Sequence, residues 1–234
     1  MPDRGLLNTA TLEGCSALDP ARSDMELTGV RWCQATFEVD KDAVLDILPC
    51  DVSRPIPCYA RLLVAVAESG THGPMGLAIL SAGARSEMMP RNVVVQYIVD
   101  GPVATAERAF GGQIRPGKIT LERSGDGVVA TIADGSLKLV TLGLPDLRPI
   151  DDAMLRWDTW LGWAAGGGGP ELVEFAPSAQ PKASFLSRKS TVEVDPALPP
   201  TNVWRRFRNL NTISACFVEG DLTIGAAQPR RSAV

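Results

Sequence analysis

The chain has 234 residues, of which 45 % are hydrophobic and 21 % charged, with a formal net charge of -4. That length suits one large domain with a real core, and the acidic balance excludes a general nucleic-acid binder, which needs a basic stripe. The 22 glycines and 18 prolines imply many turns and speak against a helical bundle.

Residues 1–29 are polar and mixed, and read as an N-terminal arm; residues 30–234 read as a single domain. No apolar run there has the length of a signal peptide, and stretches such as Leu62–Ala67 are too short to span a bilayer. Arg31–Val39 reads as a strand, on its β-branched and aromatic residues. Asp40 then caps a short helix whose apolar face is Val44, Leu45 and Leu48, stopped by Pro49. The proline-rich stretch Cys50–Pro57 is loop. Tyr59–Ala67, Gly76–Leu80 and Asn92–Val99 read as strands, the last being the clearest in the chain.

Pro102–Phe110 reads as a helix with proline near its first turn, ended by Gly111-Gly112. Gln113–Arg123, Gly127–Ala133 and Ser136–Leu142 form a meander, with Asp134-Gly135 as a hairpin signal. Trp157, Trp160 and Trp163 are spaced three apart, so successive pairs could share a helix face; ordinary core or interface packing is expected of them, with lining of a cavity mouth or a subunit interface as the alternative. The run Gly166–Pro170 lacks the Lys-Ser/Thr of a phosphate loop and is expected to be a flexible loop. Further strands are expected over Leu172–Phe175, Ala183–Phe185, Lys189–Val194, Asn211–Val218 and Leu222–Ile224, with a short helix over Trp204–Phe207. The basic knots Arg205-Arg206-Arg208 and Arg230-Arg231 read as solvated surface.

Five scattered cysteines (Cys15, Cys33, Cys50, Cys58 and Cys216) contain no CxxC pair, so a reducing, cytoplasmic location is expected. His72 is the only histidine and sits in Gly70–Pro74, a turn composition, which removes zincin-type metal sites and a histidine-based triad. Asp151-Asp152 suits helix capping better than metal binding. No metal and no organic cofactor are expected. Many antiparallel strands with few helices imply a mainly β (α+β) fold, and barrel closure removes the edges a long sheet would expose.

Three stretches carry a resemblance. They are Phe37–Pro49 (FEVDKDAVLDILP), Val93–Phe110 (VVVQYIVDGPVATAERAF), and the segment from Leu210 to Gly225 with its core NTISACFVEGDLTIG. In order and spacing they resemble the acetoacetate decarboxylase superfamily. The resemblance implies a closed antiparallel β-barrel or cone with an internal cavity, a homo-oligomer, and a small carbonyl compound as partner, with neither nucleic acid nor membrane. It also implies a Schiff-base lysine activated by a neighbouring lysine. In this sequence Glu107 and Ala109 replace the glycine and glutamate of the family's Gly-Arg-Glu element, and Arg115 falls at the position of the Schiff-base lysine. Arginine stays protonated and cannot form the imine. Lys118 is the nearest lysine. Where the family places cavity carboxylates, this chain offers Arg61 and Met75; Arg31 matches its arginine on the first strand within one position, and Tyr97 its strand-ending tyrosine.

Three functions follow. The first is an acetoacetate-decarboxylase-like enzyme with altered lyase, dehydratase or cyclase chemistry on a carbonyl or oxo-acid compound. There Arg115 binds a carboxylate or stabilises an oxyanion, with Glu107 or Glu122 as general base. Arg31, Arg61, Met75, Tyr97 and Trp160 are the candidate substrate-binding residues. The second keeps a Schiff base, on Lys118. The third is a non-catalytic cavity that binds a small apolar molecule.

Overall fold

The computed structural model of the chain describes residues 24–49, 52–71, 73–86, 89–110, 114–155, 157–166 and 169–230. Cys15, Cys50, His72, Gly111, Gly112, Gln113, Gly167, Gly168, Arg231 and the arm up to residue 23 lie outside the described residues.

Among the described residues, fifteen strands and three short helices follow one another. The strands are β1 Met25–Glu38, β2 Tyr59–Gly70, β3 Met75–Ser86, β4 Met89–Asp100, β5 Ile114–Pro116, β6 Lys118–Ser124, β7 Gly127–Asp134 and β8 Leu137–Leu144. They continue with β9 Arg148–Pro149, β10 Thr159–Gly166, β11 Gly169–Phe175, β12 Pro177–Ser187, β13 Thr191–Val194, β14 Asn211–Ile224 and β15 Gln228–Pro229. The helices are α1 Lys41–Leu45, α2 Val103–Phe110 and α3 Val203–Arg206.

Local chemistry accounts for the helices. Asp40 caps α1 by accepting the Asp42 N–H at 2.8 Å, and Asn202 caps α3 in the same way through Trp204. Asp151 caps a single 3-10 turn over Asp152–Met154, the use expected of that acidic pair. Within the basic knot after α3, Arg206 pairs with Asp46 at the surface.

Strands exceed their expected lengths wherever both faces are covered. β3 is buried along almost its whole length, so its glycines and alanines are filling, not turn signals. β14 runs unbroken through Gly220, where a Cβ would stand 2.3 Å from the Gln180 carbonyl oxygen; glycine here permits close strand contact. β1 reaches back to Met25 and pairs with both β14 and β2. The stretch expected as one strand over Gln113–Arg123 divides: β5 joins β4, while β6 starts a different sheet. Trp160 and Trp163 lie on β10, not on a helix, because their neighbours pair with β4 and β11. Gly166 and Gly169 belong to that antiparallel ladder.

The strands form an 11-stranded sheet in the order β15-β11-β10-β4-β3-β2-β1-β14-β12-β9, with β5 beside β4, and a four-stranded sheet in the order β13-β8-β7-β6. Among the described residues neither sheet closes into a barrel, and β4 pairs in parallel with β5 and β10. The described residues thus show two open sheets with both parallel and antiparallel pairs, in a mainly β fold. The large sheet is nonetheless strongly curled. Seven strand spacings separate β11 from β12, about 34 Å on a flat sheet at ~4.8 Å each. Yet Ala176 alone links them, and its carbonyl accepts the Gly225 N–H at 2.9 Å. The sheet therefore wraps around one concave face, with its ends brought together by the chain instead of by a ladder.

Two cores follow from this shape. On the convex face, Cys33, Phe37, Leu62, Leu80 and Phe217 pack against the small sheet's Ile119, Val128, Ile132 and Leu142. On the concave face, Trp32, Leu63, Leu77, Ile79, Tyr97 and Trp160 pack with Phe110 of α2.

Candidate functional site

Strand register sorts the concave face into rows of side chains. Paired residues share a face, so the ladders can be read across the sheet. One row is Val218–Trp32–Ala65–Leu77–Val99, wholly apolar. The next is Cys216–Gln34–Leu63–Ile79–Tyr97–Ile114. Then comes Ser214–Thr36–Arg61–Ser81–Val94, and beyond it a last row that joins Tyr59, Gly83, Asn92 and Trp160. Polarity rises along this sequence of rows, and the polar groups gather at one end.

Arg61 is the centre of that end. A charge in the middle of an apolar strand must find a partner, and it does. Its Nη1 lies 2.9 Å from Asp158 Oδ2, with the two side chains only 9 % and 15 % exposed. Its Nε donates to Thr36 Oγ1 at 3.4 Å. Asp158 precedes β10, three strand spacings from β2, so the curl of the sheet is what brings the pair together. Asn92 donates its Nδ2 to Asp158 Oδ2 at 3.4 Å, which fixes the orientation of its amide. Its Oδ1 is buried and accepts nothing among the described residues. Asp158 Oδ1 and Arg61 Nη2 likewise have no hydrogen-bond partner among the described residues. Ser81 donates to the Arg61 carbonyl at 3.3 Å.

Tyr59 completes the group. Its ring lies against Gly83, where a Cβ would stand 2.3 Å from Cζ. Burial raises the Tyr59 pKa above its ordinary value; Arg61 and Arg85 pull it down and Asp158 pushes it up. Cys216 faces the same side, and its thiol is pushed up to about 11 by burial, against the pull of the Gln34 backbone N–H and Arg61. Ser184, on β12, donates to Asp152.

Four of the candidate residues lie on the concave face: Arg61, Met75, Tyr97 and Trp160, all buried. Tyr97 stacks on Phe110 with centroids 5.3 Å apart, and its hydroxyl stands where a Gly162 Cβ would be 2.9 Å away. The other candidates stand elsewhere. Arg115 pairs in register with Ile98, on the face opposite Tyr97 and Ile114, and is exposed. Lys118 belongs to the small sheet, 69 % exposed, with Nζ 3.2 Å from Asp100. Glu122 is exposed on the same strand, and Glu107 is half-buried on α2. Arg31 lies on the convex face beside Glu219, with its Nε buried and unpaired among the described residues. Arg115, Lys118, Glu122 and Arg31 are therefore not brought to Arg61. The residue that points inward on β5 is Ile114. All five lysines, Lys41, Lys118, Lys138, Lys182 and Lys189, are described and exposed.

Asp158, Asn92 and Tyr59 were not singled out from sequence. The signal available was the buried charge itself: Arg61 inside YARLLVAVA demands an anionic partner, and Asp158 is the one carboxylate within the tryptophan-rich stretch Trp157–Trp163. Among the described residues no group of three His, Cys, Asp or Glu side chains could hold a metal ion. No helix among them is long and apolar enough to cross a membrane. A separate open pocket of about 610 Å³ lies at the β11–β15 edge, lined by residues that include Thr159, Glu174, Phe175 and Gln228.

No family model matches the chain, and no curated protein matches it. Solved structures do. An acetoacetate decarboxylase from Legionella pneumophila is similar over 90 % of this chain and 88 % of its own, with TM-score 0.75 and 15 % identity. An acetoacetate decarboxylase-like enzyme from Sphingomonas wittichii RW1 is similar over 89 % and 93 %, with TM-score 0.72 and 16 % identity. The enduracididine biosynthesis enzyme MppR complexed with pyruvate is similar over 91 % of both chains, with TM-score 0.72 and 13 % identity. The chain has the acetoacetate decarboxylase-like fold.

Proposed function

We propose that the chain is an acetoacetate-decarboxylase-like enzyme that binds a small oxo acid or related carbonyl compound non-covalently at the polar end of its concave face. The observation that carries this reading is the buried Arg61–Asp158 pair, which keeps Arg61 Nη2, Asp158 Oδ1 and Asn92 Oδ1 free of other described residues. A guanidinium with one free edge is a ready anchor for a carboxylate. A buried carboxylate oxygen beside it can take a proton from carbon. The similar structure MppR holds pyruvate, an oxo acid, which fits such an anchor.

The reaction class follows from what the site lacks. With every lysine exposed, an imine is not the electron sink, so charge must be stabilised on oxygen by cations and hydrogen-bond donors. Lyase, dehydratase and cyclase steps through an enolate all meet that condition. Arg61, and not Arg115, is then the substrate-facing arginine. The cytoplasmic location and the homo-oligomer remain part of the same proposal, by analogy with the fold.

The test is titration calorimetry with pyruvate and acetoacetate on the wild type and on Arg61→Met, followed by NMR of each mixture for turnover. Saturable binding that falls at least about tenfold in the variant supports the reading, since a charged hydrogen bond contributes ~1.5–3 kcal/mol. Equal binding by both proteins refutes it. Binding without turnover of any oxo acid tried favours a cavity that only binds, the reading also suggested by the apolar lower rows.

A further inference from the structure

We propose that Tyr59 is the proton donor to the carbonyl oxygen of the bound substrate, held in position by Gly83; the proposal rests on the Arg61 site described above. The geometry singles out this phenol. Its ring lies flat against Gly83, with Cζ, Cε2 and Cε1 at 2.3, 2.4 and 2.6 Å from where a Cβ would be. Any side chain at that position would drive the ring away, so the glycine sets where the hydroxyl stands. Gly83 pairs with Asn92, which reaches Asp158, and Tyr59 itself lies two residues before Arg61 on the same face of β2.

Tyr59 Oη makes no hydrogen bond with any described residue. Tyr59 is only partly buried, so this hydroxyl stands open to a ligand oxygen. Tyr97, the other tyrosine, lies deeper, stacked on Phe110. Burial keeps the Tyr59 proton on the neutral phenol, while Arg61 and Arg85 favour the phenolate formed once the proton leaves. Acid and base then stand in one group: Tyr59 with its O–H, and Asp158 with Oδ1 unpaired among the described residues.

The step balances. Asp158 takes a proton from the carbon next to the carbonyl. The C–H electron pair becomes the C=C bond, and the carbonyl π pair moves to oxygen. The Tyr59 O–H bond breaks, and its proton closes that oxygen as an enol. Asp158 has gained one proton and Tyr59 has lost one; exchange with water returns both to their starting states. No oxidant or reductant is consumed.

The experiment is deuterium incorporation at the methyl group of pyruvate in D2O, followed by proton NMR, alongside calorimetric pyruvate affinity. The proteins are the full-length wild type, Tyr59→Phe, Gly83→Ala and Arg61→Met, each checked for native circular dichroism. The expected result is catalysed exchange by the wild type, reduced at least about tenfold in Tyr59→Phe with affinity changed less than about threefold. Gly83→Ala keeps the phenol but displaces it, and should lose exchange as well. Wild-type exchange retained in Tyr59→Phe overturns the proposal. So does a parallel loss of affinity and exchange, the mark of a merely structural residue. Wild-type binding with no exchange overturns the Tyr59 role and leaves the Arg61 anchor standing. Failure of the wild type to bind pyruvate, with Arg61→Met no different, overturns the anchor and the Tyr59 role together.

Discussion

Neutralising Asp158 is the most direct perturbation of this fold. In Asp158→Asn the Arg61 guanidinium, 9 % exposed, keeps only a neutral amide and Thr36 Oγ1 as partners. Removing one partner of a buried ion pair costs about 3–5 kcal/mol because the other charge is stranded; the isosteric amide retains a hydrogen bond, so a loss of about 2–3 kcal/mol is expected. Arg61→Met strands Asp158 with Asn92 alone and should cost about 3 kcal/mol. The double variant Arg61→Met/Asp158→Asn buries no charge, so its cost should fall below the sum of the singles by about 2 kcal/mol. Urea denaturation followed by tryptophan fluorescence reads this directly, because Trp160 sits two residues from Asp158. Raising salt should change little, since a buried pair is weakly screened. Single variants that each cost under about 1 kcal/mol, with costs that simply add, would show that the pair is an ordinary surface bridge and remove the centre of the proposed site.

The remaining predictions concern packing and pH. Gly220→Ala should cost about 3 kcal/mol or more, because the new Cβ meets the Gln180 carbonyl at 2.3 Å and neither backbone can yield; Gly143→Ala, which meets only Thr191 Oγ1 at 3.0 Å, should cost under about 1 kcal/mol. Both are read by thermal denaturation. Phe110→Ala should cost about 3–5 kcal/mol, since the ring is fully buried between Tyr97 and Phe175; urea midpoints will check it. Stability should also fall at alkaline pH. Burial raises the Cys33 and Cys216 thiols above their ordinary 9.0, Cys216 to about 11. Below pH 9.0 folded and unfolded chains both keep these protons and no stability is lost. Above it the unfolded chain ionises first, so stability declines by up to about 1.4 kcal/mol per pH unit for the buried Cys33, and by less for Cys216, which is less deeply buried. Denaturation at pH 7.5, 9 and 10.5, repeated with Cys33→Ala, should show a flatter profile in the variant.

Much of the fold was legible because local chemistry and tertiary demand agree. The Asp40 cap, the β-branched run of β4 and the Asp134-Gly135 hairpin each encode their own element. Legibility failed where distant packing decides. The tryptophans of β10 have helical spacing, yet pairing with β4 and β11 makes the segment a strand. No local pattern marks the point where Gly117 separates β5 from β6 and sends the chain to a second sheet; its Cβ would meet the Ala133 carbonyl at 2.7 Å. The site shows the same division. Arg61 was legible only through the resemblance, as the residue standing where the family has a cavity carboxylate. Asp158, 97 residues further on, becomes its partner only when the sheet curls. Counting forward from α2 gives Arg115 the catalytic position, but the pleat of β5 turns that side chain outward and Ile114 inward. A one-residue difference along a strand reverses the face, which sequence counting alone does not resolve.

Borohydride trapping separates this site from imine chemistry most cleanly. An imine-forming lysine needs an amine that is neutral at working pH, produced by a dry pocket or a neighbouring cation. Lys118 is not in a dry pocket: it is 69 % exposed, and its Nζ lies 3.2 Å from an Asp100 carboxylate oxygen. Lys41, Lys138, Lys182 and Lys189 are exposed as well, and Lys182 pairs with Asp221 at 3.2 Å. Meanwhile the concave row nearest β5 holds Leu63, Ile79, Tyr97 and Ile114, with no amine among them. Incubation with acetoacetate or pyruvate and borohydride should therefore leave the intact mass unchanged, while the same ligands still bind through Arg61. A stoichiometric adduct mapped to Lys118 would mean that β6 rearranges to carry its amine to the concave face. The oxygen-centred chemistry argued from Arg61, Asp158 and Tyr59 would then give way to a Schiff base.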